Sequence, residues 1–148
     1  MGSKLICMCL MIVLLNACSE PIKEQAAAPN YLSTQDLSGT AWQMDYSMEI
    51  HEDTTLRHIP EHWLRIKTFT KNRFTFTGYD FEQLEIAGMG GGTYTLTDSL
   101  YEEQIAFHHR ADFNGTTFQG RLYFDSFYLY QIGKVGELTL EERWHRID

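Results

Sequence analysis

Apolar and polar side chains alternate with a period of two over most of the chain, which is the pattern of a half-buried β-strand. The clearest case spans residues 41–50, where one face carries Trp42, Met44, Tyr46, Met48 and Ile50. Residues 100–108 repeat the pattern, with one face carrying Tyr101, Glu103, Ile105 and Phe107. In residues 137–147, one face carries Leu138, Leu140, Glu142 and Trp144. Each segment is therefore predicted to be a strand with one side in a core.

Turn signals divide the rest of the chain into further short strands. These strands are predicted at residues 63–70, 73–81, 93–96, 118–124 and 127–132. Lys71 and Asn72 predict a tight hairpin turn, because Asn tolerates a positive φ. The polar residues 51–55 begin a longer predicted loop that ends at Pro60. The glycine-rich residues 88–92 predict a bulge, a sharp bend or a close approach of another backbone.

About eight antiparallel strands joined by short loops, with no segment of helical periodicity, predict an all-β domain. Unpaired edge strands are a liability, and closure into an up-and-down barrel removes them. An eight-stranded barrel has an interior wide enough for side chains or for one small ligand. We therefore predict a single up-and-down barrel, with a β-sandwich as the alternative fold.

Composition narrows the choice of partners. The chain has 148 residues, of which 43% are hydrophobic, enough for the core of one domain. Its formal net charge is −8, which argues against nucleic acid as a partner, because binding to phosphates needs a basic face. At long range this charge mildly favours a neutral or cationic ligand, although salt screens the effect over about 10 Å.

The N-terminus has the features of an export signal. Lys4 precedes an apolar run from Leu5 to Leu15, which is too short to cross about 30 Å of hydrocarbon as a helix. The run ends in residues 15–18 (LNAC), which resemble the lipobox of bacterial lipoproteins. That resemblance implies cleavage before Cys18 and acylation of its thiol. We therefore predict a signal peptide over 1–17 and a lipid anchor in the outer membrane of a Gram-negative bacterium, facing either the periplasm or the cell exterior.

Residues 18–36 are predicted to be a flexible tether between the anchor and a domain over 37–148. The segment has few large apolar residues and includes Pro21 and Pro29, so it cannot repay the entropy of becoming ordered. The chain has three cysteines, and Cys7 and Cys9 lie in the predicted signal peptide. The mature domain is therefore predicted to have no disulfide and no thiolate metal site.

Several short motifs in a fixed order resemble the lipocalin-like domain of small lipoproteins common in Bacteroides-type bacteria. The matching segments are 37–42 (LSGTAW), 65–67 (RIK), 70–76 (TKNRFTF), 91–96 (GGTYTL), 101–107 (YEEQIAF) and 138–144 (LTLEERW). The resemblance covers the chain from about Leu37 to its end. It implies a lipocalin-like barrel with an open mouth and a small-molecule site, and it brings no established activity.

Two carboxylates lie in phase with large apolar residues, so Glu103 and Glu142 are candidates for the barrel interior. A buried carboxylate is costly without a partner, and the available partners are Arg65, Lys67, Arg121 and Tyr94. One interpretation is a polar anchor in a ligand pocket, and the other is a structural ion pair or a rim-exposed position. The predicted ligand-binding set is Glu103, Glu142, Tyr94, Trp42, Trp144, Phe76, Arg65 and Lys67.

Six histidines raise the possibility of a metal site. His58 and His62 are separated by Pro60, and the adjacent His108 and His109 would point to opposite faces of a strand. We therefore predict no metal site and no cofactor. Three functions remain open: a small-molecule binder, an envelope scaffold with a filled barrel, and a hydrolase or isomerase using Glu103 or Glu142, for which no nucleophile motif is present.

Overall fold

A computed structural model describes residues 36–125 and 127–148 of the chain. Nine strands and one short 3-10 turn account for most of this part. The strands are β1 (Ala41–Ile50), β2 (Thr55–His58), β3 (Trp63–Phe69), β4 (Arg73–Asp80), β5 (Glu85–Thr97), β6 (Leu100–His108), β7 (Thr117–Phe124), β8 (Tyr128–Val135) and β9 (Leu138–Arg146). The 3-10 turn spans Ala111–Phe113, between β6 and β7. The predicted signal peptide, the lipidated Cys18 and nearly all of the tether lie outside the described residues.

Every pairing between neighbouring strands is antiparallel, and the sheet closes on itself because β1 also pairs with β9. From β3 to β9 each strand pairs with the next along the chain. The prediction of an eight-stranded up-and-down barrel is therefore confirmed, and the sandwich alternative is excluded. The described part contains no helix that is long and apolar enough to cross a membrane.

The ninth strand, β2, lies in the segment predicted to be a loop. It pairs with the last four residues of β1, while β3 pairs with residues 41–43 of the same strand. β2 and β3 therefore follow one another along a single edge of β1, separated by residues 59–62 around Pro60. The loop prediction was wrong here because all four residues of β2 are exposed, so the strand has no apolar alternation.

A bulge in β1 reverses the phase of its second half. Met44 pairs with Trp144 and Tyr46 with Arg143, which leaves Asp45 as the extra residue. Ser47 is consequently buried and Glu49 borders the interior cavity, whereas Tyr46 and Met48 are only half-buried. The prediction that one face of β1 carries every second residue from Trp42 to Ile50 is wrong beyond the bulge.

A second bulge, in β6, has the same effect. Gly92 pairs with Ile105 and the preceding glycine with Phe107, so Ala106 is the extra residue. Phe107 therefore points outward and is 48% exposed, and His108 turns toward the interior instead. The prediction that Phe107 shares a face with Ile105 is corrected accordingly.

Glycine is required on the strand opposite this second bulge. A Cβ added at Gly92 would lie 1.9 Å from the carbonyl oxygen of Gln104, much too close for any side chain. The predicted close approach of another backbone is thus confirmed, although the glycines lie within β5 and do not interrupt it.

Large side chains fill the barrel end at which the described chain begins. Leu37 (1% exposed) lies over this end beside Trp42 and Phe69. The remaining core members are Met44, Phe74, Tyr94, Tyr101, Ile105, Phe118, Leu122, Phe124, Leu129, Val135 and Trp144. We call the end that Leu37 covers the closed end. The other end, bordered by residues 109–116 and the β4–β5 turn, is called the open end.

Candidate functional site

A cavity of about 110 Å³ occupies the barrel interior toward the open end. This is roughly ten times the volume that one water molecule requires on the same kind of measure. Its floor is polar and consists of Lys67, Glu103, Gln131 and Glu142. Its walls are apolar and consist of Phe74, Phe76, Ile105, Phe118, Val135, Leu140 and Trp144. Its rim consists of Ser47, Glu49, Arg65, His108, His109, Arg110 and Phe113. We call this space the inner cavity.

The floor contains a buried ion pair that makes further hydrogen bonds to neighbouring side chains. The Lys67 ammonium donates to Glu103 and, at 2.8 Å, to the side-chain oxygen of Gln131. The Tyr101 hydroxyl donates to the same Glu103 carboxylate at 2.6 Å. Burial and the nearby Glu103 charge raise the pKa of Tyr101 well above its ordinary value, so this hydroxyl stays protonated as a donor. The geometry explains why Lys67 is only 3% exposed: its charge has a paired acceptor.

Glu142 is the unpaired member of the floor. It is 9% exposed and borders the inner cavity, and in the described part of the chain its carboxylate accepts no hydrogen bond of ordinary geometry. Burial raises its pKa, and the Glu103 charge adds to the rise, while Lys67 and Arg65 oppose it. When it is protonated, a carboxyl group in this position can donate a hydrogen bond to a ligand.

Arg65 lies at the rim, and the Nε of its guanidinium is fully buried and meets no acceptor in the described residues. The guanidinium carbon lies 5.1 Å from the ring centre of Trp63 and 5.5 Å from that of Phe76, so the two rings hold it in place. Burial lowers the pKa of Arg65, and the charges of Glu142 and Glu49 partly offset this without a hydrogen bond to it.

A second unpaired donor borders the same space. Trp144 is 1% exposed, and its indole nitrogen is buried without a hydrogen-bond partner in the described residues. The nitrogen is near enough to Glu142 to lower the pKa of that carboxyl group slightly, yet the contact falls short of hydrogen-bond geometry. Buried donors are nearly always paired in proteins, so two unpaired donors at one cavity call for an acceptor.

Stacked histidines and a cation–π pair form the outer rim. The rings of His108 and His109 stack with their centres 4.4 Å apart. Burial, the His109 charge and the nearby arginines lower the pKa of His108 to about 4, so its imidazole is neutral at pH 7. Arg110 lies over the Phe113 ring at 4.1 Å and is 3.4 Å from the Glu49 carboxylate.

A second space of about 170 Å³ lies beside the inner cavity. Its lining is Ser47, Glu49, His58, Trp63, Arg65, Gly78 and Ala87. Because Ser47, Glu49 and Arg65 border both spaces, we call this the side cavity and place Arg65 at the junction of the two. It lies where residues 44–46 of β1 pair with neither β2 nor β3.

Six of the eight predicted ligand-binding residues border the inner cavity: Glu103, Glu142, Trp144, Phe76, Arg65 and Lys67. The other two, Trp42 and Tyr94, are buried toward the closed end, outside the cavity lining. The Tyr94 hydroxyl donates to the backbone oxygen of Thr70 and does not reach a carboxylate. Arg121, named as an alternative partner for the carboxylates, is exposed and donates to Ser99.

The sequence interpretation missed several lining residues. Ser47, Glu49 and His108 face inward only because of the bulges, and a period-two reading places them on the outer face. Gln131 was missed although it alternates with Leu129, which is fully buried. A polar residue that alternates with buried apolar residues is expected to face the interior. The prediction used this signal for Glu103 and Glu142 but not for Gln131.

The search for known relatives gave no match among protein-family models, curated proteins or solved structures. Within residues 36–125 and 127–148, no group of three or more His, Cys, Asp or Glu side chains is arranged to hold a metal ion.

Proposed function

We propose that the domain binds a small molecule of mixed polarity in the inner cavity, which the ligand enters from the open end. The observation that carries the proposal is a cavity with an apolar wall, a charged floor and two buried donors that lack acceptors. Small-molecule sites are mostly apolar concave spaces in which a few polar groups fix the orientation of the ligand. This cavity has both parts.

The contrast between the two ends supports binding over a purely structural role. Side chains such as Leu37 and Leu129 fill the closed end with almost no exposure, whereas space remains around Arg65 and Glu142. A scaffold would gain stability by filling that space with apolar side chains, because interiors normally pack to high density. An enzymatic role has weaker support, because the hydrogen-bonded charged pair at the cavity, Lys67 with Glu103, is buried and also bonded to Gln131 and Tyr101, which is typical of a structural ion pair.

A cavity-filling substitution tests the proposal. Ser47→Phe adds a ring to a small buried residue that borders both cavities, and Thr77→Phe adds the same ring on the exposed face of β4. The full chain, purified without denaturation, is examined by native mass spectrometry for carried-over ligand and titrated with the fluorescent probe N-phenyl-1-naphthylamine. We expect the wild type and Thr77→Phe to bind and Ser47→Phe to lose binding. Equal probe binding by all three proteins, or binding by none, would refute a cavity site.

We further propose that the chain is anchored in the outer membrane through acylated Cys18, the position that the lipobox-like residues 15–18 indicate. The geometry of the described part suits this arrangement, because the chain enters the barrel at the closed end through Leu37. A tether attached there joins the barrel at the end opposite the open end of the cavity. Intact-mass analysis and detergent phase partitioning of the wild type and Cys18→Ser test the proposal. An unacylated wild-type chain would contradict it.

A further inference from the structure

We infer that the ligand carries a carboxylate group, which Arg65 and Trp144 bind in the inner cavity beside Glu142. The inference rests on the proposed binding function and adds the chemical class of the ligand. It is carried by the unpaired donors and by the way the remaining charges of the cavity are already paired.

Arg65 is the anchor in this proposal. A guanidinium presents several donors in a plane and matches the two oxygens of a carboxylate, so it is the preferred protein group for that ligand. Here Trp63 and Phe76 fix its position, and its Nε is buried without an acceptor. Because it stands at the junction of the two cavities, a carboxylate bound to it can extend its apolar part along either space.

Trp144 supplies an independent second donor from a different strand. Its indole N–H is buried and unpaired in the described residues, and Trp144 borders the same cavity as Arg65. An indole nitrogen only donates, so it needs an acceptor and cannot pair with a cationic or purely donating ligand group. Two buried donors without acceptors therefore favour an anionic ligand over the neutral or cationic ligand that the net charge of the chain suggests. Local contacts outweigh that charge because salt screens it beyond about 10 Å.

Most of the negative charge at the cavity already has a partner. Glu103 is paired with Lys67, and Glu49 with Arg110. Glu142 forms no salt bridge in the described part of the chain, although the charges of Lys67 and Arg65 act on it, and while ionised it would repel a bound carboxylate. Binding therefore favours its protonated form, in which it becomes a third donor to the ligand. The charged and titratable groups that face Glu142 are Lys67 and Arg65 from β3 and Tyr101 and Glu103 from β6, with Glu49 further along β1. Opposite it in the neighbouring strands lie Ser47 and Gln131.

Three ligands with the same eight-carbon tail test the inference: octanoate, 1-octanol and octylamine. Each is measured by displacement of N-phenyl-1-naphthylamine and by calorimetry, using the full chain. We expect octanoate to bind at least about tenfold more tightly than octanol, because one hydrogen bond to a charged group changes the affinity by about that factor. Octylamine should bind most weakly. Calorimetry in two buffers of different ionisation enthalpy should show net proton uptake with octanoate only.

Variants assign these effects to residues. Arg65→Met should remove the preference for octanoate while octanol still binds, and Arg121→Met, an arginine on the outer surface, should change neither. Glu142→Gln should keep the preference but abolish proton uptake. Equal affinity for octanoate and octanol in the wild type would overturn the inference and leave the binding function standing. Failure of the probe and of all three ligands to bind would instead refute the proposed function. The wild-type comparison decides the question even if Arg65→Met does not fold.

Discussion

Replacing Lys67 with methionine isolates the contribution of the buried ion pair to stability. Methionine has a similar length and no charge, so the change removes the ammonium group while largely filling its space. Lys67 and Glu103 have side chains that are 4% and 6% exposed, which leaves little solvent to stabilise either charge alone. The substitution therefore leaves the Glu103 carboxylate buried, with the Tyr101 hydroxyl as its remaining donor.

The expected cost follows from the contacts that are lost. Breaking a buried ion pair by removing one partner typically costs about 3–5 kcal/mol, because the other charge remains buried. The side-chain oxygen of Gln131 also loses its donor, which overlaps with this figure rather than adding fully to it. We therefore expect Lys67→Met to lower the free energy of unfolding by about 4 kcal/mol. Such a loss is a large part of the roughly 5–15 kcal/mol that stabilises a typical domain.

Urea unfolding followed by tryptophan fluorescence measures this loss, since Trp144 lies beside the pair. With an m-value of about 2 kcal/mol per molar urea, the midpoint should fall by about 2 M. Lys134→Met is the matched control, because Lys134 lies on β8 and is exposed. We expect that control to change stability by less than about 0.5 kcal/mol.

A double substitution separates the ion pair from simple packing. Lys67→Met with Glu103→Gln removes both charges, so the isolated buried charge disappears and most of the lost stability should return. If the double variant is as unstable as the sum of the two single variants, the pair contributes nothing and the reasoning fails. A Lys67→Met variant as stable as the Lys134→Met control would refute it equally.

Two further substitutions test the floor and the bulge. Folding raises the pKa of Glu142 above its ordinary value of 4.5, so the folded chain holds the proton more tightly than the unfolded chain. The stability that this proton gives is present below pH 4.5. It is lost as the pH rises through the pKa of the folded chain. Glu142→Gln should therefore raise the urea midpoint at pH 7 and give no gain at pH 4, and an equal gain at both would contradict the assignment. Gly92→Ala should cost about 3 kcal/mol, because its Cβ would lie 1.9 Å from a backbone oxygen. Gly88→Ala, whose Cβ would meet only the exposed His109 ring at 2.9 Å, should cost much less in the same assay.

The sequence was sufficient for the barrel because the alternation is strong in most strands. The phase of β9 shows this, since Leu138, Glu142 and Trp144 all lie on the inner side as predicted. The inward position of Glu103 follows in the same way from its spacing to Tyr101. A buried carboxylate is therefore predictable from phase alone, but its partner is not, because pairing with Lys67 depends on which strands face each other across the barrel.

Strand pairing also explains what the sequence could not give. β2 forms because β1 offers a free edge beyond its pairing with β3, and the exposed Leu56 of β2 gives no apolar alternation that would predict a strand from the sequence. The presence of a cavity is likewise a property of the assembled interior. Trp42 and Phe76 are both large aromatics in phase with the core, yet only Phe76 borders the cavity. Their positions along the barrel axis, rather than their residue types, decide the difference.

The two bulges connect the fold to the cavity. Without the extra residue in β1, the inner face would continue from Met44 to Tyr46 and Met48, and without that in β6 it would continue from Ile105 to Phe107. Each bulge turns a large side chain outward and brings a smaller or more polar residue to the lining, Ser47 in one strand and His108 in the other. The space between Arg65, Glu142 and Trp144 therefore exists because the alternation fails in β1 and in β6. Bulges commonly redirect side chains next to functional sites, and here both act on the same cavity.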